Sequence, residues 1–304
     1  MQRPSDRRML AILCRVAAVA FIAGLYATVR WADRRGVPVF EIVLFRSVVA
    51  LIPIGGFMLA QKDPTLFRTK RPLGHLIRSC IGLTSMVCSF ASLKFIPLTE
   101  SAAFSFTVPL FMTVLGVFVL HEHVGWHRVA ALVAGFAGVL VILKPEPGHM
   151  NWMGAALALA GAATSAGAMV AIRQIGLTER ASTIAFYFTI AGVGLGLLGS
   201  LLGGWMTPDL TTLGVLVLGG LVGGIAQLLL SQAMTLAPVS VVAPFDYSQL
   251  IWATLLGFML WGETPTLTML AGAGVIAASG LYITYREQQL AARAPAQPGV
   301  AHRV

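Results

Sequence analysis

The sequence contains one short segment twice. Residues 97–104 read PLTESAAF, and residues 238–245 read PVSVVAPF. The register that places the two prolines together also aligns three further pairs, which are Thr113 with Thr254, Gly116 with Gly257 and Glu122 with Glu263. A repeat at fixed spacing is the signature of a duplicated structural unit. The chain is therefore expected to contain two copies of one unit.

Each copy lies in a strongly apolar half of the chain. Hydrophobic residues make up 57% of the sequence and charged residues only 11%, which is the composition of an integral membrane protein and not of a soluble domain. A helix needs about 20 apolar residues to cross a bilayer. Apolar runs bounded by Pro, Gly and charged residues predict spans near 10–30, 39–60, 74–93, 100–120, 127–143, 152–172, 182–202, 212–234, 239–260 and 266–285.

This pattern predicts an all-α integral membrane protein with ten transmembrane helices arranged as two inverted five-helix repeats. An odd number of spans in each copy turns the second copy upside down, and inverted repeats are typical of transporters with a central site. We predict a first repeat over residues 1–147, a second over 148–290, and a disordered cytoplasmic tail over 291–304, where the sequence becomes rich in Ala, Pro and Gln. Transport is the leading hypothesis.

The distribution of the basic residues predicts how the chain is oriented in the membrane. The formal net charge is +9, and the Lys and Arg residues lie in short runs between apolar spans, including the loop at 61–73. The positive-inside rule accounts for this distribution, so no nucleic-acid partner is expected. We predict a multi-pass protein of the cell inner (plasma) membrane with both termini cytoplasmic, and we expect the first apolar segment to be a retained span and not a cleaved signal.

Signatures of catalysis or metal binding are missing from the sequence. It has no GxSxG, HExxH or phosphate-binding GxxxxGK[ST] motif, and the HEH run at 121–123 lacks HExxH spacing. The GLGLLG run at 194–199 lies inside a span, where small residues serve helix packing. We expect no catalytic residue, metal or cofactor. The alternatives are a passive channel or a membrane assembly partner, and less readily an intramembrane enzyme.

A few polar residues lie inside the spans, where the cost of burial favours a cavity or a partner. Arg46 is expected either to bind an anionic substrate group or to pair locally with Glu41. Arg15 and Arg78 are close enough to span ends for their charged groups to snorkel to the membrane surface. Asp246 has no acidic counterpart in the first repeat, and it is predicted to bind substrate, to couple transport to a proton gradient, or to hold helices together. The predicted substrate-binding set is Arg46, Asp246, Tyr247, Gln227, Tyr187, Ser105 and Trp252, and the predicted structural set is Glu122, Glu263, Pro97 and Pro238.

The two spans that begin at Pro97 and Pro238 and end in Glu122 and Glu263, together with Phe45-Arg46, resemble the drug/metabolite transporter superfamily, EamA type. The resemblance covers about residues 10–287. It implies a helical bundle around a central cavity and a small organic substrate, such as an amino-acid-like or cofactor-like metabolite. Residues 99–110 are similar to members that take up S-adenosylmethionine. The expected partners are a small-molecule substrate and the lipid bilayer, and a homodimer is left open.

Overall fold

A computed structural model describes residues 4–108, 110–112, 114–115, 126–143, 151–176, 178–236 and 243–293. Within these ranges the regular structure is helical throughout. The α-helices are α1 (Pro4–Arg34), α2 (Val39–Ala60), α3 (Pro72–Ser92), α4 (Leu98–Ser105), α5 (Trp126–Leu143), α6 (Trp152–Ile175), α7 (Ala181–Gly203), α8 (Leu210–Leu236), α9 (Gln249–Trp261) and α10 (Leu267–Arg293). Two 3-10 helices cover Pro64–Phe67 and Ala243–Ser248.

Six of these helices contain stretches long and apolar enough to cross a membrane. The stretches are Met9–Arg34, Val39–Ala60, Pro72–Ser92, Trp152–Ile172, Ala181–Gly203 and Leu210–Ala233. Large apolar side chains such as Leu202, Leu210 and Leu267 are more than four-fifths exposed. Apolar side chains on the outside of a helical bundle suit contact with lipid tails. The chain is therefore an all-α membrane protein.

The helices of the two halves pack in a reciprocal pattern. Helix α1 packs against α8, and α3 packs against α6. If α1, α2 and α3 of the first half correspond to α6, α7 and α8 of the second, exchanging the halves converts one of these pairs into the other. Under the same exchange the pairs α2–α7, α4–α9 and α5–α10 each map onto themselves. This is the contact pattern of two units related by an approximate two-fold axis.

Over their described residues, neither repeated segment is one regular α-helix. In the first repeat α4 ends at Ser105, a turn follows at Phe106 and Thr107, and helical backbone resumes at residue 108. In the second, the 3-10 helix Ala243–Ser248 precedes α9. The Thr107 hydroxyl donates to the Phe104 carbonyl at 2.7 Å. The Ser248 hydroxyl donates to the Phe245 carbonyl at the same distance.

These two hydrogen bonds are equivalent in the repeat register, and local hydroxyl-to-carbonyl bonds of this kind compete with regular helix structure. The sequence predicts continuous spans at 100–120 and 239–260, whereas the described residues contain a turn in the first and a 3-10 helix in the second. Phe106 and Tyr247 are also equivalent in the register, and their rings meet edge to face with centroids 4.9 Å apart. Equivalent residues that touch each other must lie close to the two-fold axis.

Glycines allow α7 to approach α2 closely. A Cβ atom at Gly196 would lie 2.6 Å from the backbone Cα of Leu44, and one at Gly199 would lie 2.3 Å from the Phe40 ring. Small residues permit such approach between membrane helices. Two glycines of the GLGLLG run therefore contact α2.

Several sequence predictions concern residues outside the described ranges. These are Glu122, Pro238, the HEH run at 121–123 and residues 294–304 of the predicted tail. Helix α10 continues to Arg293, so it enters the segment predicted as a tail.

Candidate functional site

A cavity of about 160 Å³ lies where helices of both halves meet. Six helices line it, each through at least one side chain: Tyr26 of α1, Arg46 of α2, Arg78 of α3, Ser165 of α6, Phe188 of α7 and Gln227 of α8. Transporter sites commonly lie near the bilayer midplane at the interface of two repeats. The cavity is the candidate substrate site.

Arg46 reaches this cavity from α2 and is 6% exposed. It lies seven residues after Val39, or about 10 Å along the helix. Its Cζ atom is 5.6 Å from the centroid of the Phe188 ring. Its Nε and Nη1 atoms have no hydrogen-bond partner among the described residues, and the local pair with Glu41 does not form. The buried guanidinium is thus available to a ligand.

Arg78 reaches the same cavity from α3 and is 4% exposed. The snorkelling expected from the sequence is therefore not observed. Its Cζ atom lies 3.8 Å from the centroid of the Phe188 ring, so it stacks on the ring that Arg46 also faces. Its Nε and Nη1 atoms likewise lack a hydrogen-bond partner in the described part of the chain.

Neutral polar groups and aromatic rings complete the lining. Gln227 is 8% exposed, and its Nε2 atom has no hydrogen-bond partner among the described residues. Tyr26 and Phe90 meet edge to face at 5.7 Å. Uncharged donors beside aromatic surface are typical of sites that bind small organic ligands.

Asp246 lies outside this cavity lining and pairs with Arg15. The Arg15 Nε atom donates to Oδ1, and Nη2 donates to Oδ2 at 2.5 Å. The Arg15 side chain is 5% exposed and the Asp246 side chain 33%. The sequence indicated that a carboxylate at this depth requires a cation, and Arg15 supplies it in place of the snorkelling expected for it.

The remaining predicted ligand residues also lie outside the cavity lining. The Tyr187 hydroxyl donates to the Phe67 carbonyl at 3.0 Å, and so holds the 3-10 helix after α2. The Ser105 hydroxyl donates to the Gln249 Oε1 atom at 3.2 Å, and this bond links the end of α4 to the start of α9. Tyr247 stacks beside Phe106, and its buried hydroxyl has no partner among the described residues. Trp252 is partly exposed on α9.

Glu263 and Glu41 tie the halves together. Glu263 Oε1 is 2.5 Å from Arg30 Nη2. Its Oε2 atom accepts from the backbone N–H of Leu98, directly after Pro97 at the start of α4. Carboxylates are favourable at helix N-termini, where backbone N–H groups lack partners. Glu41 Oε2 accepts from the Met206 backbone N–H at 3.0 Å, between α7 and α8.

The loop after α2 makes a separate polar contact with the corner before α7. Asp63 accepts from the Thr65 hydroxyl at 2.6 Å and lies 2.9 Å from Arg180. The hydrogen bonds from Thr65 lower the pKa of Asp63, and the nearby Arg180 lowers it further. Glu179 accepts from the backbone N–H of Lys70 at 2.7 Å. This end of the bundle is held by exposed ionic contacts, away from the cavity.

Of the predicted ligand set, then, the cavity contains Arg46 and Gln227. The sequence did not indicate Tyr26, Arg78, Ser165 or Phe188 as lining residues. For Arg78 the only signal was a charge four residues into the predicted span at 74–93, which also allowed snorkelling. For the others no signal existed, because small and aromatic residues are common throughout membrane helices.

The EamA-like transporter family model matches residues 9–144 and again residues 152–285. This chain belongs to the EamA-like transporter family. The two matches give the transporter its two repeats, and they cover most of the chain. The family and the relatives below are transporters of the drug/metabolite superfamily, and they identify a multi-pass membrane protein that carries small metabolites.

Relatives of the transporter differ in cargo. It is 28% identical over 250 residues to the S-adenosylmethionine uptake transporter of Rickettsia bellii, covering 82% of this chain and 85% of that one. It is 26% identical to the riboflavin transporter of Vibrio cholerae, over 88% and 89% of the two chains. It is 28% identical to the pseudopaline exporter CntI of Pseudomonas aeruginosa, over 79% and 84%.

A solved crystal structure has the same fold. It superposes with a TM-score of 0.67 over 92% of this chain and 98% of its own, at 21% sequence identity. The similarity extends over both halves of the transporter. It concerns the fold alone.

Proposed function

We propose that this protein is a secondary transporter that moves a small organic metabolite across a bacterial-type inner membrane by alternating access. The observation that carries the proposal is the cavity between the halves, lined by α1, α2 and α3 of the first repeat and α6, α7 and α8 of the second. A site shared in this way changes its accessibility when one repeat rocks against the other. The proposed architecture is ten helices in two inverted repeats, with both termini cytoplasmic.

The substrate class is an amino-acid-like or cofactor-like molecule. The relatives named above carry S-adenosylmethionine, riboflavin and pseudopaline. S-adenosylmethionine is one candidate, because its carboxylate would suit the buried guanidinium of Arg46. Gln227 and the Tyr26 ring would contact the remainder of such a molecule. No catalytic step is part of the proposal.

Transport would draw on an ion gradient or on exchange, because the sequence has no phosphate-binding GxxxxGK[ST] motif. Asp246 is the coupling candidate. Protonation of this carboxylate would remove the charge that binds Arg15, and the contact between α1 and the Ala243–Ser248 helix would weaken. A proton could thereby change the position of one repeat against the other.

The test begins with cells. Metabolites in cells and medium are compared with and without the gene, and the compound that changes is then assayed for flux into proteoliposomes that contain the purified protein. Saturable flux that is accelerated by unlabelled compound on the opposite side supports alternating access. Unsaturable flux of small ions would identify a channel and refute the proposal.

A further inference from the structure

Two buried arginines converge on one aromatic ring. Arg46 and Arg78 are 6% and 4% exposed, and their Cζ atoms lie 5.6 and 3.8 Å from the centroid of Phe188. Arg46 is seven residues from the start of α2 and Arg78 six residues from the start of α3, or about 10 and 9 Å of helix. Both positions therefore lie inside the candidate membrane spans Val39–Ala60 and Pro72–Ser92.

Within the described part of the chain, neither charge has a protein counter-ion. No Asp or Glu is among the described residues that line the cavity. Two other buried arginines, Arg15 and Arg30, each contact a carboxylate. Two like charges in a low-dielectric interior repel each other and are costly to bury without an anion. One shared ring compensates only a part of that cost.

Two glycines leave room for these guanidinium groups. A Cβ atom at Gly82 would lie 2.8 Å from Nη1 of Arg78 and 3.1 Å from the Phe188 ring. A Cβ atom at Gly223 would lie 3.3 Å from Nε of Arg46. The absence of a side chain at Gly82 of α3 and at Gly223 of α8 thus leaves space for the two guanidinium groups at the cavity.

We propose that the transported substrate is an organic oxyanion with net negative charge, whose carboxylate or phosphate group binds between Arg46 and Arg78 beside Phe188. The inference deepens the proposed function, since it assumes that this cavity is the transport site. Guanidinium groups bind carboxylates and phosphates through paired N–H donors. A net cationic metabolite would instead face two positive charges with no carboxylate among the described lining residues. S-adenosylmethionine carries a sulfonium, an ammonium and one carboxylate, so this inference removes it from the candidate substrates.

The experiment uses purified full-length protein in lipid nanodiscs and four probes of similar size. Equal concentrations of glutarate, glycerol 3-phosphate, leucine and putrescine are added together, and retained compound is measured by mass spectrometry after rapid washing. Arg46→Gln, Arg78→Gln and Arg78→Lys are compared with wild type. Arg180→Gln is the matched control, because Arg180 is exposed and pairs with Asp63 outside the cavity.

We expect glutarate or glycerol 3-phosphate to be retained by wild type and by Arg180→Gln. Retention should fall at least tenfold in Arg46→Gln and Arg78→Gln, and should recover partly in Arg78→Lys, which keeps the charge but not the fork of donors. The preferred probe distinguishes carboxylate from phosphate. Retention of putrescine above both anions, no retained anion, or equal retention by Arg78→Gln and wild type would overturn the inference.

Two outcomes separate this inference from the proposed function. Anion retention that requires both arginines, without flux in proteoliposomes, keeps the site and removes transport through it. Saturable flux that is unchanged by Arg78→Gln keeps transport and removes the paired-arginine site. Size-exclusion profiles of each variant identify any that fail to fold, and Arg78→Lys then carries the test.

Discussion

The guanidinium of Arg15 and the carboxylate of Asp246 form two parallel contacts between residues 231 positions apart in the chain. The pair joins α1, near the N-terminus, to the 3-10 helix Ala243–Ser248 in the second repeated segment. The first repeat has Ser105 at the position of Asp246. The ion pair is therefore an asymmetric feature of a duplicated fold, which is why its role is worth testing.

Replacing Asp246 with Asn should abolish net, gradient-driven transport, because the amide neither carries a proton nor balances Arg15. Stability should fall by less than the roughly 3–5 kcal/mol of a fully buried broken pair, because Asp246 is one-third exposed. Proteoliposome flux with and without a proton gradient measures the first effect. Thermal unfolding in detergent measures the second.

Exchange of substrate across the membrane separates two roles for Asp246. Exchange that survives in Asp246→Asn indicates coupling, and exchange that fails indicates substrate binding. The double variant Arg15→Gln/Asp246→Asn is the control for the unpaired arginine. Wild-type net transport by Asp246→Asn, with an unchanged pH profile, would assign the residue to packing.

Arg46→Lys should reduce transport about tenfold or more, which corresponds to losing a charge-assisted hydrogen bond of about 1.5–3 kcal/mol. Lysine keeps the charge but not the planar pair of donors. Initial rates are compared at matched membrane abundance, with Arg180→Lys as the control. Equal rates for Arg46→Lys and wild type would remove Arg46 from the site.

Orientation is tested with reporter fusions at Gly148 and Val304. The Lys and Arg distribution predicts that Gly148 faces the periplasm and that Val304 and the 61–73 loop face the cytoplasm. A phosphatase fusion should be active at Gly148 and inactive at Val304. If both positions reported the same side, the second repeat would contain an even number of spans, and the inverted arrangement would be excluded.

Helix packing is tested by two glycines of one helix. Gly196→Ala places a Cβ atom 2.6 Å from the α2 backbone, whereas a Cβ atom at Gly194 meets nothing within 4 Å. Gly196→Ala should destabilise the protein by about 1–3 kcal/mol, as overpacking does. Gly194→Ala should be neutral or slightly stabilising. Thermal unfolding of both variants measures the two effects. Equal unfolding midpoints for Gly196→Ala and Gly194→Ala would contradict the contact with Leu44.

Patterns that repeat along the sequence predicted where helices lie. The sequence did not predict which partner an individual side chain contacts. Helix α2 begins at Val39 and α7 ends at Gly203, close to the predicted spans at 39–60 and 182–202. The turn after α4 and the 3-10 helix before α9 were not predicted, because a Ser or Thr hydroxyl that bonds a local carbonyl has no hydrophobic signature. Composition is the same on both sides of such a break.

The site was predicted only in part for a similar reason. The depth of Arg46 indicated an unusual environment, and the cavity contains it. The depth of Arg78 is nearly the same, yet a long side chain near a span end can point either way, and its direction is set by Phe188 of the other half. Asp246 required a cation, but nothing in the sequence pointed to Arg15, which lies in a different repeat.

The reciprocal packing of the halves determines the order in which the protein can assemble. Helix α1 ends at Arg34, and its main partner α8 is complete only at Leu236, about 200 residues later. At about 5–20 residues per second, the ribosome needs roughly 10–40 s to supply it. During that interval Arg15 and Arg30 of α1 lack Asp246 and Glu263, the carboxylates that they contact in the complete fold. They depend on the insertion machinery, lipid headgroups or water until the second repeat arrives.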